Sequence, residues 1–504
     1  MISYIRSNKI TFLLLLFCIG FGIYYIYGAI QWIPYPNQID YGEGYIQYIN
    51  NLFATGGWDW DLTTPPYIPL MYGIVTPLVD MPLINMFGNE LWTTRLIMCV
   101  SAIIISVMLY LIVYRLTHKK VWGLIGALIP FTQPIIRDWS LMARVDMLAV
   151  MFDIVGLYLV IRFMNSKHIY WSIIPFTLAI FTKPTFIAAL VAVLIYLLIN
   201  NRRVLWRYLV ILIPVVAICI AILQVMTDGH YLEHVVVASR TVDLTWPWAV
   251  IQINLVGVLT PLAIILALAV LYIKKSFSRW ALRLKDIDLL GLFLVTSVVI
   301  GFISALRPGG FINYYIEFIY ASCLCAVLIL PRFIERTIEK YREHTAVGSY
   351  ALILAAMFIL MLAVSPKSAF PFPNEQYDED VAIVTEIISD TNEPVITENT
   401  GLVMNAGKEL YAEFFVITNW AQLGIWDDTN YINDYRNQKF DYIILRVPLS
   451  ERPDGDGHFN KEVMQAIRDN YTLIYSPPDN FYWYGLCVYE SNSKYMMDDR
   501  FNNE

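Results

Sequence analysis

The sequence predicts a polytopic α-helical membrane protein that ends in an α/β domain outside the membrane. Three observations predict it. With 58% hydrophobic and 15% charged residues over 504 positions, the chain has too little charge to cover a soluble surface. Apolar runs near the length that crosses a hydrocarbon core, about 20 residues, recur from Ile10 to Val364. Beyond Ser365 these runs stop, and short β-branched and aromatic segments alternate with polar ones.

About eleven spans are expected, at residues 10–30, 91–114, 121–136, 143–163, 169–182, 185–200, 205–226, 249–273, 288–306, 314–331 and 348–364. Basic residues gather in alternate connections: Arg6/Lys9, Arg115/Lys119/Lys120, Arg162/Lys167, Arg202/Arg203/Arg207, the stretch from Lys274 to Lys285 and the stretch from Arg332 to Arg342. The other connections and the helix ends beside them hold only Arg95, Arg137, Arg144, Lys183, Arg240 and Arg307 before the tail. Under the positive-inside rule the N-terminus is cytoplasmic, and an odd number of crossings leaves the tail outside. Removing the first run as a signal peptide would deprive the next helix of its inward start, so that run is read as a span. The expected units are a transmembrane domain at 1–365, including a first outer loop at 31–90, and an extracytoplasmic α/β domain at 366–504.

The first outer loop contains no Lys or Arg. Its amphipathic stretch Tyr45–Phe53 and its tryptophans Trp58 and Trp60, with Trp92 just beyond, predict short helices lying on the outer leaflet. In the tail, Val381–Val384, Pro394–Thr397, Tyr442–Leu445 and Thr472–Tyr475 read as strands, and Pro366, Pro371 and Pro373 as a stiff linker. Of the six cysteines only Cys487 lies outside a span, so neither a disulfide framework nor a zinc spacing is expected.

Ionisable groups at a membrane boundary are costly unless paired or hydrated, which marks them for function. Asp40 and Glu43 stand in Asp40-Tyr41-Gly42-Glu43-Gly44, just beyond the first span. Arg144 and Asp146 open the fourth span, and Lys183 lies between the fifth and sixth. His230, Glu233, His234 and Arg240 follow the seventh, and Arg307 precedes a segment containing Tyr314 and Tyr315. All of them fall on the outer side of this topology. Transfer of a sugar from a lipid phosphate needs a carboxylate to take the acceptor's proton and cations to stabilise the departing phosphate. Asp40 or Glu43 suits the first role; Lys183, Arg307 and Arg240 suit the second. Each has a structural alternative: a solvated loop carboxylate, an Asp146 bridge to Arg144 or Arg137, a Lys183 that snorkels to the interface. His230 and His234 share a helical spacing but read as surface histidines, because no further ligands converge on them.

These residues resemble the GT-C superfamily of membrane glycosyltransferases, in particular its protein O-mannosyltransferase and aminoarabinose transferase branch. The acidic motif with Pro65-Pro66 downstream, Arg144-Val145-Asp146, Lys183, and Arg307 ahead of Tyr314-Tyr315 carry the resemblance, together with Ile396–Gly401 and Lys439–Leu445 in the tail. It implies inverting transfer from a polyprenyl- or dolichyl-phosphate sugar to a glycan, lipid or protein acceptor on the extracytoplasmic face of the cell membrane. It places the base on Asp40 or Glu43, which here are separated by Tyr41 and Gly42 where the family pattern has adjacent acids. Asp146 would position the acceptor or base, and Arg144, Lys183, Arg240, Arg307, Tyr314 and Tyr315 would bind substrate. Most relatives in this branch hold no tight metal, but Asp40, Glu43 and Asp146 could ligate a divalent cation, Mg or Mn. Membrane lipids are expected partners and nucleic acid is not. A transporter would show internal repeats and broken midplane helices instead, and a non-catalytic scaffold would scatter its acids without a common pocket.

Overall fold

The computed structural model describes residues 2–237, 288–306, 310–340, 375–452, 458–477 and 486–494. Arg240, Arg307, the expected spans at 249–273 and 348–364 and the linker prolines lie outside them. In chain order the membrane half comprises α1 (Ile2–Trp32), α2 (Tyr41–Thr55), α3 (Val75–Phe87), α4 (Leu91–Thr117), α5 (Lys120–Leu128), α6 (Pro134–Trp139), α7 (Asp146–Phe163), α8 (Ile173–Thr182), α9 (Ala188–Asn200), α10 (Arg202–Met226), α11 (Leu289–Ala305) and α12 (Ile316–Lys340). Among the described residues four helical stretches are long and apolar enough to cross a membrane: Thr11–Trp32, Leu91–Thr117, Arg202–Met226 and Ile312–Arg332. Their large apolar side chains stand outward, as Ile23, Ile26 and Ile30 do on α1 and Trp206, Val210 and Ile213 on α10, which suits contact with hydrocarbon rather than water. The shorter apolar helices pack among them around one core running from Cys18 to Ile334, which Val403 and Leu410 of the tail join.

The end of the bundle that carries the candidate residues is built by helix termini. The C-terminal end of α1, the N-terminal ends of α2, α7, α9 and α12 and the C-terminal end of α8 meet there, as the contacts below show. At the opposite end the Arg115 guanidinium near the end of α4 donates to the Arg162 carbonyl near the end of α7.

The tail contains α13 (Glu375–Ser389), β1 (Ile396–Thr397), α14 (Thr400–Asn405), α15 (Phe414–Gln422), α16 (Thr429–Arg436), β2 (Tyr442–Leu445), α17 (Lys461–Asn470), β3 (Tyr471–Tyr475) and β4 (Cys487–Ser491). The strands form one sheet in the order β1-β2-β4-β3. β1 runs parallel to β2, with Ile396 opposite Ile443; β4 is antiparallel to both β2 and β3, with Tyr489 opposite Ile443 and Leu473. All of β2 is buried because both faces are covered: Ile443 and Leu445 pack toward α15, α16 and α17, and Tyr442 and Ile444 toward α13. The strand expected at Val381–Val384 is instead the middle of α13. Tyr377, Val381, Val384 and Ile388 recur at helical spacing and form its buried stripe, which a window of four apolar residues conceals.

Candidate active site

The motif Asp40-Tyr41-Gly42-Glu43-Gly44 is the N-terminus of α2. Asp40 is its N-cap: Oδ2 accepts the Gly42 N–H at 3.1 Å, while Glu43 at the third helical position returns to the Asp40 N–H at 3.4 Å, completing a capping box. The two acids then part. Glu43 is fully buried and receives Arg95 Nε and Nη2, both at 2.8 Å, the Ile39 N–H at 2.6 Å and the Ala143 N–H at 2.6 Å. Arg95, equally buried, spends its other N–H groups on the carbonyls of Trp32, Tyr35 and Asn37, the turn that leads from α1 into α2. Burial opposes ionisation of Glu43, yet Arg95 and the backbone donors overcome it and hold its carboxyl below the usual range. Glu43 is therefore a fixed anion that ties α1, α2 and α4 to the start of α7.

Asp40 faces the other way, toward Arg144 Nε at 2.9 Å. Burial pushes its carboxyl upward against the pull of Arg144, and the neighbouring Glu43 and Asp146 charges push it further. The guanidinium lies over the Tyr41 ring, 5.5 Å from its centroid. Glycine at position 42 makes this possible, since a Cβ there would fall 1.6 Å from Arg144 Nη1.

Asp146 begins α7 without a side-chain N-cap before it. Its Oδ1 receives Lys183 Nζ at 2.9 Å and Asn313 Nδ2 at 2.6 Å, all three side chains being buried. The Lys183 ammonium sits 4.7 to 5.1 Å from the ring centroids of Tyr72, Phe186 and Tyr314. Tyr72 interacts electrostatically with Arg144, Asp40 and Asp146 as well as Tyr314, so the two ion pairs belong to one site. The arrangement alternates two carboxylates and two cations between aromatic walls, at the mouth of an apolar bundle.

A family model described as dolichyl-phosphate-mannose-protein mannosyltransferase matches residues 69–227, a stretch that includes Arg144, Asp146 and Lys183 but not Asp40 or Glu43. Among solved structures, ArnT from Cupriavidus metallidurans bound to undecaprenyl phosphate matches with a TM-score of 0.58 at 12% identity, over 93% of this chain and 98% of that one. The fold is GT-C. The archaeal oligosaccharyltransferase AglB from Archaeoglobus fulgidus, in complex with an inhibitory peptide and a dolichol-phosphate, matches with a TM-score of 0.55 at 12% identity, over 97% of this chain and 74% of that one. No curated protein matches the sequence. The resemblance drawn from the short motifs thus extends to nearly the whole chain as a GT-C fold.

Within this GT-C fold the remaining candidates separate. Tyr314 belongs to the Lys183 cluster, whereas the Tyr315 ring lies beside the space above Gly301 on α11, and its hydroxyl has no partner among the described residues. His234 is not a surface histidine. It is 1% exposed, its Nδ1 accepts the Leu70 N–H at 3.0 Å, and its Nε2 lies 3.1 Å from the Trp60 carbonyl. That pair of contacts requires a neutral ring with the proton on Nε2, and burial lowers its pKa to about 4. It fastens the first outer loop, while His230 pairs with Glu233 at 3.1 Å. A divalent ion does not fit Asp40, Glu43 and Asp146, because each already faces its own cation: Arg144, Arg95 and Lys183. Among the described residues no group of three His, Cys, Asp or Glu closes on a common point.

Several contributors were not evident from sequence. Arg95 looked like a loop cation, and Tyr72, Phe186 and Asn313 carried no separate signal. The capping-box spacing from Asp40 to Glu43 was available and would have announced both the helix start and the structural use of Glu43. The tail also reaches this end of the bundle. Gln38 Oε1 accepts the Gly401 N–H at 2.9 Å, Tyr35 and Asn37 donate to Asp378, and the Glu413 N–H donates to the Tyr67 carbonyl at 2.9 Å.

Proposed function

We propose that this protein is an inverting glycosyltransferase that moves a sugar from a polyprenyl- or dolichyl-phosphate donor to a glycan, lipid or protein acceptor at the extracytoplasmic face of the membrane. The observation that carries the reading is the Asp40–Arg144 pair standing beside the Asp146–Lys183 pair on one GT-C framework. Asp40 takes the proton of the acceptor hydroxyl as its oxygen attacks the anomeric carbon. The bond from that carbon to the phosphate oxygen breaks, and the lipid phosphate leaves with the electron pair. A base needs a carboxylate whose pKa is not depressed, which favours Asp40 over Glu43. Lys183, with Arg144 beside it, faces the departing phosphate; Asp146, assisted by Asn313, holds the ammonium in place until charge develops.

Arg240 and Arg307 are further proposed phosphate contacts, and the N-terminus is proposed to be cytoplasmic with the tail outside. The ligands named for the two solved relatives, undecaprenyl phosphate and dolichol-phosphate, support a lipid-phosphate donor, and the peptide bound to AglB makes a protein acceptor one of the three classes to test. The test is transfer of labelled sugar from polyprenyl phosphate in membranes containing wild type, Asp40→Asn, Glu43→Gln or Asp146→Asn. Asp40→Asn is expected to lower turnover about 10²- to 10⁴-fold, the usual contribution of a general base. Wild-type turnover in correctly inserted Asp40→Asn would overturn the mechanism.

A further inference from the structure

Asp153 and Glu317 have no part in the chemistry above, yet both carboxyls are enclosed in the membrane half, 0% and 2% exposed. They lie on α7 and α12 and are hydrogen-bonded to each other, with no cation facing either one among the described residues. Such a bond between two carboxyls needs a proton on one of them. Their other lone pairs go to the start of α9. Asp153 accepts the Ala189 and Leu190 N–H groups at 2.8 and 3.3 Å, and Glu317 accepts the Ala188 N–H at 3.1 Å. These are the amides that a helix leaves without internal partners, and Ile187 at the N-cap provides no side-chain acceptor. Thr296 of α11 closes the junction by donating to the Ala188 carbonyl at 2.9 Å.

The sequence positions give this junction its meaning. Asp153 lies two turns beyond Asp146 on the same face of α7, about 10 Å along the axis. Glu317 follows Asn313 by about one turn, and Ala188 closely follows Lys183. Three helices thus meet at the carboxyl pair: α7 carries Asp146 at its start, and the segments that lead directly into α9 and α12 carry Lys183 and Asn313. We infer that Asp153 and Glu317 are positioning residues that lock α7, α9 and α12 in register and so hold Asp146, Lys183 and Asn313 in contact. The expected effect on turnover rests on the proposed transfer reaction; the positional effect does not.

Glu317→Gln and Glu317→Leu separate the lock from simple volume. The glutamine carbonyl still accepts from Ala188 and its amide donates to Asp153, whereas leucine fills the space and breaks the link. Two readouts are taken on full-length protein in membranes: labelling of Lys183 by an amine-reactive reagent, followed by mass spectrometry, and kcat and donor KM for transfer. Glu317→Gln is expected to keep Lys183 protected and kcat within about threefold of wild type, while Glu317→Leu exposes Lys183 and lowers kcat about tenfold or more at an unchanged unfolding temperature. Wild-type labelling in Glu317→Leu, or equal exposure of Lys183 in both variants, overturns the inference. If Glu317→Leu does not insert, Asp153→Asn, which cannot accept from both Ala189 and Leu190 as a carboxylate does, takes its place under the same criteria. If wild type transfers no sugar, the proposed activity fails by itself and the labelling comparison still decides the lock.

Discussion

Asp40 and Glu43 are three residues apart and equally acidic in composition, yet their surroundings give them opposite uses. Glu43 has five donors within 3.4 Å and a buried guanidinium as counterion, and Asp40 has the Arg144 guanidinium and one backbone donor. Removing the Glu43 charge leaves Arg95 buried and unpaired, a loss of about 3 to 5 kcal/mol. Glu43→Gln should therefore lower the unfolding temperature of the detergent-solubilised protein, whereas Asp40→Asn, whose side chain still accepts at the N-cap, should not. Because the Glu43 carboxyl is held below its usual range, its contribution to stability is full above that range and fades as pH falls through its folded value. Gly42→Ala tests the other carboxylate. A methyl group placed 1.6 Å from Arg144 Nη1 displaces the guanidinium from Asp40, and transfer should fall about tenfold or more with the fold intact. Full activity in this alanine variant would show that the Asp40–Arg144 contact has no part in turnover.

At the scale of elements, the long apolar helices were legible because their signal is cumulative. α1, α4 and α10 each carry enough apolar residues that no local choice alters the reading. Short elements were not so secure: Val381–Val384 looked like a strand because its tertiary partners lie at i+3 and i+4 spacings outside the window, and β4 was missed. At the site, Asp146 and Lys183 were legible as ionisable residues out of place, but their contact with Asn313 depends on where α12 begins, which no local pattern states. Capping residues behave similarly, and Glu413 gives one a pH dependence. It caps α15 by accepting the Val416 N–H at 2.7 Å, and burial raises its pKa from 4.5 to about 7. The folded tail keeps a proton that the unfolded chain releases, so this contribution is full below pH 4.5 and is lost as pH rises through about 7. The loss is of order 3 kcal/mol at most. Glu413→Gln keeps the capping oxygen and removes the titration; its unfolding temperature should vary less than that of wild type between about pH 5 and pH 8. An unchanged pH profile would show that Glu413 does not titrate in this window.

Across the whole molecule, the tail and the first outer loop are fastened at several points that share a geometry: a backbone amide or carbonyl on one side meets the polar tip of an aromatic side chain on the other. Tyr48 Oη accepts the Leu410 N–H at 3.1 Å, Trp426 Nε1 donates to the Leu62 carbonyl at 2.7 Å, and Tyr377 Oη donates to the Gln38 carbonyl at 3.3 Å. α2 and α14 approach closely, so that a Cβ on Gly44 would stand 2.3 Å from the Gly401 nitrogen and 2.5 Å from Gln38 Oε1. The obstructing atom is backbone, so it cannot rotate away. Gly44→Ala should thus push the tail off α2, break the Gln38–Gly401 hydrogen bond and leave the internal packing of both halves unaltered. Hydrogen exchange on the intact protein reads this directly: the Gly401 amide should lose protection, while amides of β2, buried between the two layers of the tail, keep theirs. Transfer measured on the same preparation then separates two uses of the tail. If the tail steadies the capping box that presents Asp40, kcat falls with donor and acceptor KM unchanged; if it forms part of the acceptor site, acceptor KM rises first. Unchanged protection at Gly401 would mean that α2 and α14 stand further apart in the membrane than the Gly44 contact requires.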